Sequence, residues 1–220
     1  MPNDTLDQLL GLNATSYDPK DDPWLTKAKP LVEEAINDLI DEFIAHPYLH
    51  RREHSIHVRL SHILASKRSP DGEVDLSRRY PLGADLPETQ LIHKEWPSSG
   101  AYSGKSRRGN VDLAVLSPGL LKTCTCLQDF REGRLPAPIV IEMGLDYGTK
   151  HLAKDARKLL DTKPPCAYLV HLVRERPRDL TIENTLIDLE RQQSIGTAYV
   201  CTIGVKRAFK RLGQLSIEAH

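Results

Sequence analysis

Residues 138–148 read PIVIEMGLDYG. Ile139, Val140 and Ile141 lead to an acid, Glu142, and two positions later stands Gly144. A short apolar run rich in β-branched residues and bounded by Pro and Gly predicts a buried strand. An unpaired carboxylate inside a sheet costs several kcal/mol, so Glu142 needs a partner, a metal or access to water. The fold follows from the strand, and the function from the acid at its end.

Downstream, Thr149 is placed to cap a helix, KHLAKDARKLLD, with Leu152, Ala156, Leu159 and Leu160 on its apolar face. CAYLVHLVRE and TAYVCTIGV read as two further strands, and TIENTLIDLERQQS between them as a helix. The tail KRAFKRLGQ is a short basic segment.

Upstream, GNVDLAVLS alternates Val111, Leu113 and Val115 with Asp112, Ala114 and Leu116, as a strand does. TQLIHKEW is a shorter strand bounded by Pro97, and residues 117–137 form an insertion. Residues 67–88 read as a loop rich in Pro, Gly, Asp and Arg. REHSIHVRLSHILAS carries Ile56, Leu60, Ile63 and Leu64 on one helical face. PLVEEAINDLIDEFIAHP places Leu31, Ala35, Leu39 and Phe43 at near four-residue spacing, with Pro30 suited to a first turn and Pro47 ending the pattern. Residues 1–28 read as a polar arm with one short helix near DTLDQLLGL, and 29–220 as a single domain. The class is α/β, a mixed central sheet flanked by helices.

At 220 residues the chain suits one sizeable domain. A 40% hydrophobic and 27% charged composition fits a water-soluble globule, and no apolar run is long enough to span a bilayer. The N-terminal residues lack the basic-then-apolar order of a secretory signal, which gives a cytoplasmic expectation with no membrane partner. Net charge is zero, so a nucleic-acid partner must be met by local patches. Of the cysteines, Cys124 and Cys126 form a C-x-C without a second pair, and Cys166 and Cys201 lie in strand-like runs as buried free thiols.

Asp112 sits, like Glu142, inside an apolar strand pattern. Two acids on adjacent strands can face each other at one sheet end, where Mg2+ or Mn2+ would find hard oxygen ligands. Such an ion polarises a phosphodiester and activates an attacking water. Glu53, opening the second helical stretch, approaches the same place if that helix crosses the sheet. The plainer alternatives pair Asp112 with Arg107 or Arg108, and Glu142 with Lys150 or Lys154.

Glu53 on a leading helix, Asp112 in RRGNVDLAVLSP, and Glu142 in PIVIEMG before a helix resemble the PD-(D/E)XK nuclease superfamily. The resemblance covers roughly residues 50–175. It implies a restriction-endonuclease-like core of helix, three-stranded meander, helix and strand. It implies that Asp112 and Glu142 bind the metal and that Glu53 supports it. In that family a lysine two residues after the second acid positions or activates water, and here that position is Gly144. Another element can supply the lysine, and Lys150 and Lys94 are the two candidates.

His50, His54 and His57 share a helical spacing but lack further firm ligands for zinc, and read as a solvated or DNA-facing face, with His57 able to approach the acids beside Glu53. The segment GAYSGKSRRGN offers Lys105, Arg107 and Arg108 to phosphates, with Trp96 and Tyr102 flanking it as stacking or packing rings. Lys206, Arg207, Lys210 and Arg211 form a second basic patch. The expected function is a metal-dependent nucleic-acid phosphodiesterase, with DNA the default substrate. A homodimer would suit duplex cleavage. The alternative is a catalytically inactive nuclease-fold domain that binds nucleic acid or a protein partner.

Overall fold

The computed structural model describes residues 22–101, 108–174, 197–202, 206–211 and 214–219, with only the backbone described for 98–101, 108 and the strands beyond residue 196. Helix α1 spans Pro23–Ala45. It starts one turn and more before Pro30 because Asp22 caps it, accepting from the Trp24 amide at 2.9 Å, and Pro23 takes the first turn. Pro30 therefore lies inside the helix rather than at its start. An interior proline costs about 3 kcal/mol. Pro30 and Thr26, whose carbonyl loses its partner, are both exposed, so water can take up that carbonyl. Leu31, Val32, Ala35, Ile36, Leu39, Ile40 and Phe43 line the opposite face and are buried. Each large side chain among them contributes about 1.5–3 kcal/mol by burial, enough to hold the helix through the proline.

Helix α2 spans Glu53–Ala65 and buries Ile56, His57, Leu60, Ile63 and Leu64. Arg59 fixes it to α1, its Nε donating to both carboxylate oxygens of Glu42 at 2.9 Å. His50 precedes this helix instead of joining its face; it is buried, with Nε2 3.1 Å from Glu42 Oε1.

The segment 67–88, expected as a loop, carries the short strand β1 (Tyr80–Pro81) and the first residue of β2 (Glu88–Thr89), which pairs with it. The main sheet begins with β3 (Ile92–Ala101) and β4 (Arg108–Val115). β3 runs on through Pro97, which an edge strand tolerates because its missing N–H need not face a partner. Two short helices, α3 (Pro118–Lys122) and α4 (Leu127–Arg131), occupy the insertion before β5 (Ile139–Leu145). α5 (Thr149–Thr162) then leads to β6 (Cys166–Val173). Beyond it the backbone forms β7 (Thr197–Thr202), β8 (Lys206–Arg211) and β9 (Gln214–Ala219). The basic tail is thus a strand, β8, paired antiparallel with β9. The segment TIENTLIDLERQQS lies outside the described residues.

The strand order is β3-β4-β5-β6-β7-β8-β9. β3, β4 and β5 are antiparallel neighbours, whereas β5-β6 and β6-β7 are parallel, joined across the first pair by the α5 crossover. Every residue of β5 and β6 is buried, as expected of central strands covered on both faces. Tyr168 turns to one face, its hydroxyl 3.4 Å from Glu33 of α1. Side chains alternate along a strand, so Leu169 and His171 turn to the other face, which α5 covers. The α/β class, with the mixed β3 to β6 part of the sheet flanked by helices, agrees with the sequence. Among the described residues no helix is long and apolar enough to cross a membrane.

Candidate active site

The antiparallel pairing of β4 with β5 ends at Leu113 opposite Ile141. Beyond that pair the Asp112 carboxylate takes the place of a strand partner: its Oδ2 accepts from the Met143 amide at 2.7 Å. Glu142 is the next residue back along β5 and is fully buried. The register that sets Leu113 opposite Ile141 brings Asp112 and Glu142 next, so the two acids are neighbours, and the Asp112 side chain answers the Met143 amide.

Helix α2 reaches this opening with Glu53 and His57. His57 Nε2 lies 3.8 Å from Asp112 Oδ2 and 4.0 Å from Glu53 Oε1. Glu53 is held by the Tyr147 hydroxyl, which donates to its Oε2 at 2.8 Å. Tyr147 also stacks on His151, with ring centroids 3.9 Å apart. His57 is thus buried beside the acids rather than on a solvated face, while His54 remains exposed.

From the α5 layer comes a lysine. Lys158 Nζ donates to Glu142 Oε2 at 2.5 Å and lies 3.6 Å from Asp155 Oδ1. Lys150 is exposed on the first turn of α5, and Lys94 Nζ lies 3.2 Å from His54 Nε2. The residue that meets Glu142 is therefore Lys158, and neither Lys150 nor Lys94 makes that contact. Asp155 is the sequence sign that was available. An acid within the apolar stripe of Leu152, Ala156 and Leu159 marks a buried polar contact, and Lys158 follows it by three residues.

Gly144 has a spatial explanation. It stands opposite His171 in the parallel β5-β6 pair, and the imidazole fills the side-chain space beside it. Gly144 is not in the left-handed region, so the requirement is room and not backbone freedom.

Four carboxylates, Glu53, Asp112, Glu142 and Asp155, gather around Lys158 and the imidazoles. Burial, with the Asp112 charge adding to it, pushes the Glu142 carboxyl well above the usual range, against the pull of Lys158. Burial also raises Glu53, although the Tyr147 hydroxyl opposes it. Burial alone would lower Lys158, but Glu142, Asp112 and Asp155 outweigh it and raise it. These three shifts agree in favouring bound protons, as in a site short of positive charge. For His57, burial dominates and favours the neutral ring, the form that ligates metals. Glu142 Oε1 and His57 Nε2 are buried without a hydrogen-bond partner among the described residues. Glu53, His57 and Asp112 offer ligand atoms within 4.8 Å of one another. Orphaned acceptors and surplus negative charge fit a divalent cation.

Trp96 is buried and packs edge-on against Phe130, ring centroids 5.3 Å apart, so it serves the core. Cys124 and Cys166 are buried free thiols and Cys126 is exposed. Lys105, Arg107 and Tyr102 lie outside the described residues, as do the side chains of Arg108, Lys206, Arg207, Lys210, Arg211 and Cys201. Comparison of the chain with protein-family models, with curated proteins and with solved structures found no match.

Proposed function

We propose that the protein is a metal-dependent nucleic-acid phosphodiesterase, built on a restriction-endonuclease-like core, with DNA as the default substrate. The observation that carries the reading is the contact of Lys158 with Glu142 beside Asp112. An ammonium and two strand acids stand together although the usual lysine position is a glycine. Glu53, His57, Asp112 and Glu142 would hold the ion. When bound, Mg2+ or Mn2+ supplies Lewis-acid polarisation of the phosphodiester and activation of water.

The chain's own groups do the rest. Lys158 is anchored between Glu142 and Asp155, so its charge is held in place beside the acids and would stabilise negative charge developing on a phosphate bound there, with little reorganisation. Tyr147 fixes the Glu53 carboxylate from the turn after β5. Asp112 is oriented by the Met143 backbone amide, a donor fixed by β5 itself.

The test is a cleavage panel of linear, nicked, branched and single-stranded DNA and of RNA, with Mg2+, with Mn2+ and with a chelator. Metal-dependent cutting that is lost in Asp112→Asn with Glu142→Gln supports the proposal. No cutting of any substrate overturns it, and binding without cutting favours the non-catalytic alternative.

A further inference from the structure

We propose that His151, Asp155 and His171 form a second cation site, for a divalent transition metal of the zinc class, beside the site of Glu53, His57, Asp112 and Glu142 but sharing no ligand with it. His151 Nδ1 lies 2.9 Å from Asp155 Oδ2, and His171 Nε2 lies 3.9 Å from the same oxygen. All three ligand atoms fall within 4.8 Å of one another. Around a tetrahedral zinc, with ligand bonds near 2.0–2.2 Å, neighbouring ligand atoms stand about 3.3 Å apart. The observed separations bracket that value.

His171 is the second observation. It is fully buried, on a central strand, and neither ring nitrogen has a hydrogen-bond partner among the described residues. A buried polar group left unmade costs about 1–3 kcal/mol, so an unsatisfied imidazole in mid-sheet calls for a ligand. A hydrogen bond between His151 and Asp155 one helical turn apart would explain that pair without any metal. It leaves His171 with Nε2 at 3.9 Å from Asp155, beyond a hydrogen bond, and Nδ1 without a partner among the described residues, and it leaves unexplained why β5 gives up a side chain at Gly144 to admit the ring.

Donor chemistry sets the ion. Two imidazoles and one carboxylate suit zinc and its first-row neighbours, whereas magnesium prefers oxygen and retains its water. Asp155 divides its oxygens, Oδ2 toward the histidines and Oδ1 toward Lys158 at 3.6 Å. His151 is only partly buried and gives the ion a route in from solvent. The inference does not depend on phosphodiester cleavage and stands or falls by metal binding alone.

The test is titration of the full chain with zinc chloride against a chromophoric chelator. Wild type should bind one zinc tightly, and millimolar magnesium should leave it bound. The isosteric double variant Asp112→Asn with Glu142→Gln should retain that zinc. His151→Ala should weaken it at least tenfold, and His151→Phe, which keeps a ring against Tyr147, should do the same. Melting of each metal-free variant verifies folding, and position 151 is exposed enough to tolerate both changes. Failure of wild type to bind zinc, loss of the tight site in the double variant, or less than tenfold weakening in a folded position-151 variant overturns the inference.

Discussion

The ring of His171 lies against Gly144 so closely that a Cβ on the glycine would meet its Nε2 at 2.5 Å, Cε1 at 2.7 Å and Cδ2 at 2.9 Å. The two residues are partners across the parallel β5-β6 pair. Neither can be changed without regard to the other. Gly144→Ala should destabilise the protein by about 1–3 kcal/mol, the usual penalty for overpacking a core. Adding His171→Ala should recover part of that loss, because the obstructing ring is gone. Urea unfolding of both single variants and the double measures the coupling. Additive effects would show that the two side chains do not compete for this space. Gly144→Lys should fail to restore a lysine at the position usual for the resembled family, since its stem would have to displace the ring.

Lys158→Ala should lower metal-dependent cleavage by at least about 100-fold, the scale on which removal of one preorganised electrostatic group acts. Lys150→Ala and Lys94→Ala should stay within a few-fold of wild type. Single-turnover rates at saturating Mn2+ make the comparison. Retained cleavage in a folded Lys158→Ala would remove this lysine from the mechanism.

Manganese should raise the melting temperature, because only the folded chain brings Glu53, Asp112 and Glu142 together. At a concentration 100 times the dissociation constant the gain is about 2.7 kcal/mol. The gain should shrink sharply in Asp112→Asn with Glu142→Gln, and melting curves with and without manganese decide it. Equal gains in both proteins would place the ion elsewhere.

The clamp between α1 and α2 sets a pH dependence. Hydrogen bonding from Arg59 holds Glu42 below the usual carboxylate range, against partial burial, and His50 adds to the effect. A depressed folded value means that the folded state binds fewer protons. The clamp's stability is therefore present above the ordinary carboxyl pKa and is lost as pH falls through the lower folded one. Arg59 is partly exposed, so the contribution is about 1 kcal/mol or less after solvent screening. The stability difference between wild type and Glu42→Gln should be largest near neutrality and shrink in acid below about pH 4. A difference independent of pH would mean that the carboxylate charge does not matter to the clamp.

Much of the framework was legible in the chain. Alternation in GNVDLAVLS and the apolar run before Glu142 marked β4 and β5, and the Leu152, Ala156, Leu159 spacing marked α5. The acids stood out because each interrupts an apolar pattern. Lys158 did not, since a lysine on the flank of an amphipathic helix looks like any solvated residue until the crossover sets the helix over β5. His171 was hidden for a related reason. Its meaning depends on standing opposite Gly144, and a parallel register is set by tertiary packing, which no local pattern encodes. Pro30 misled in the other direction, because a proline favours a helix start locally while the buried face of α1 carries the helix through it.

Where β4 and β5 separate, the groups that meet differ greatly in how much chain lies between them. Lys158 follows Glu142 by 16 residues, whereas Glu53 and Tyr147 are 94 apart. Closing the longer loop costs about 1.6 kcal/mol more in chain entropy than closing the shorter. Contacts that span more sequence also form later on average. The strand-helix-strand half, with its lysine and acid, should therefore assemble first, and docking of α2 should complete the cluster. That order makes α2 the keystone of the cluster: Glu53 and His57 reach Asp112 only when this helix is docked on the sheet.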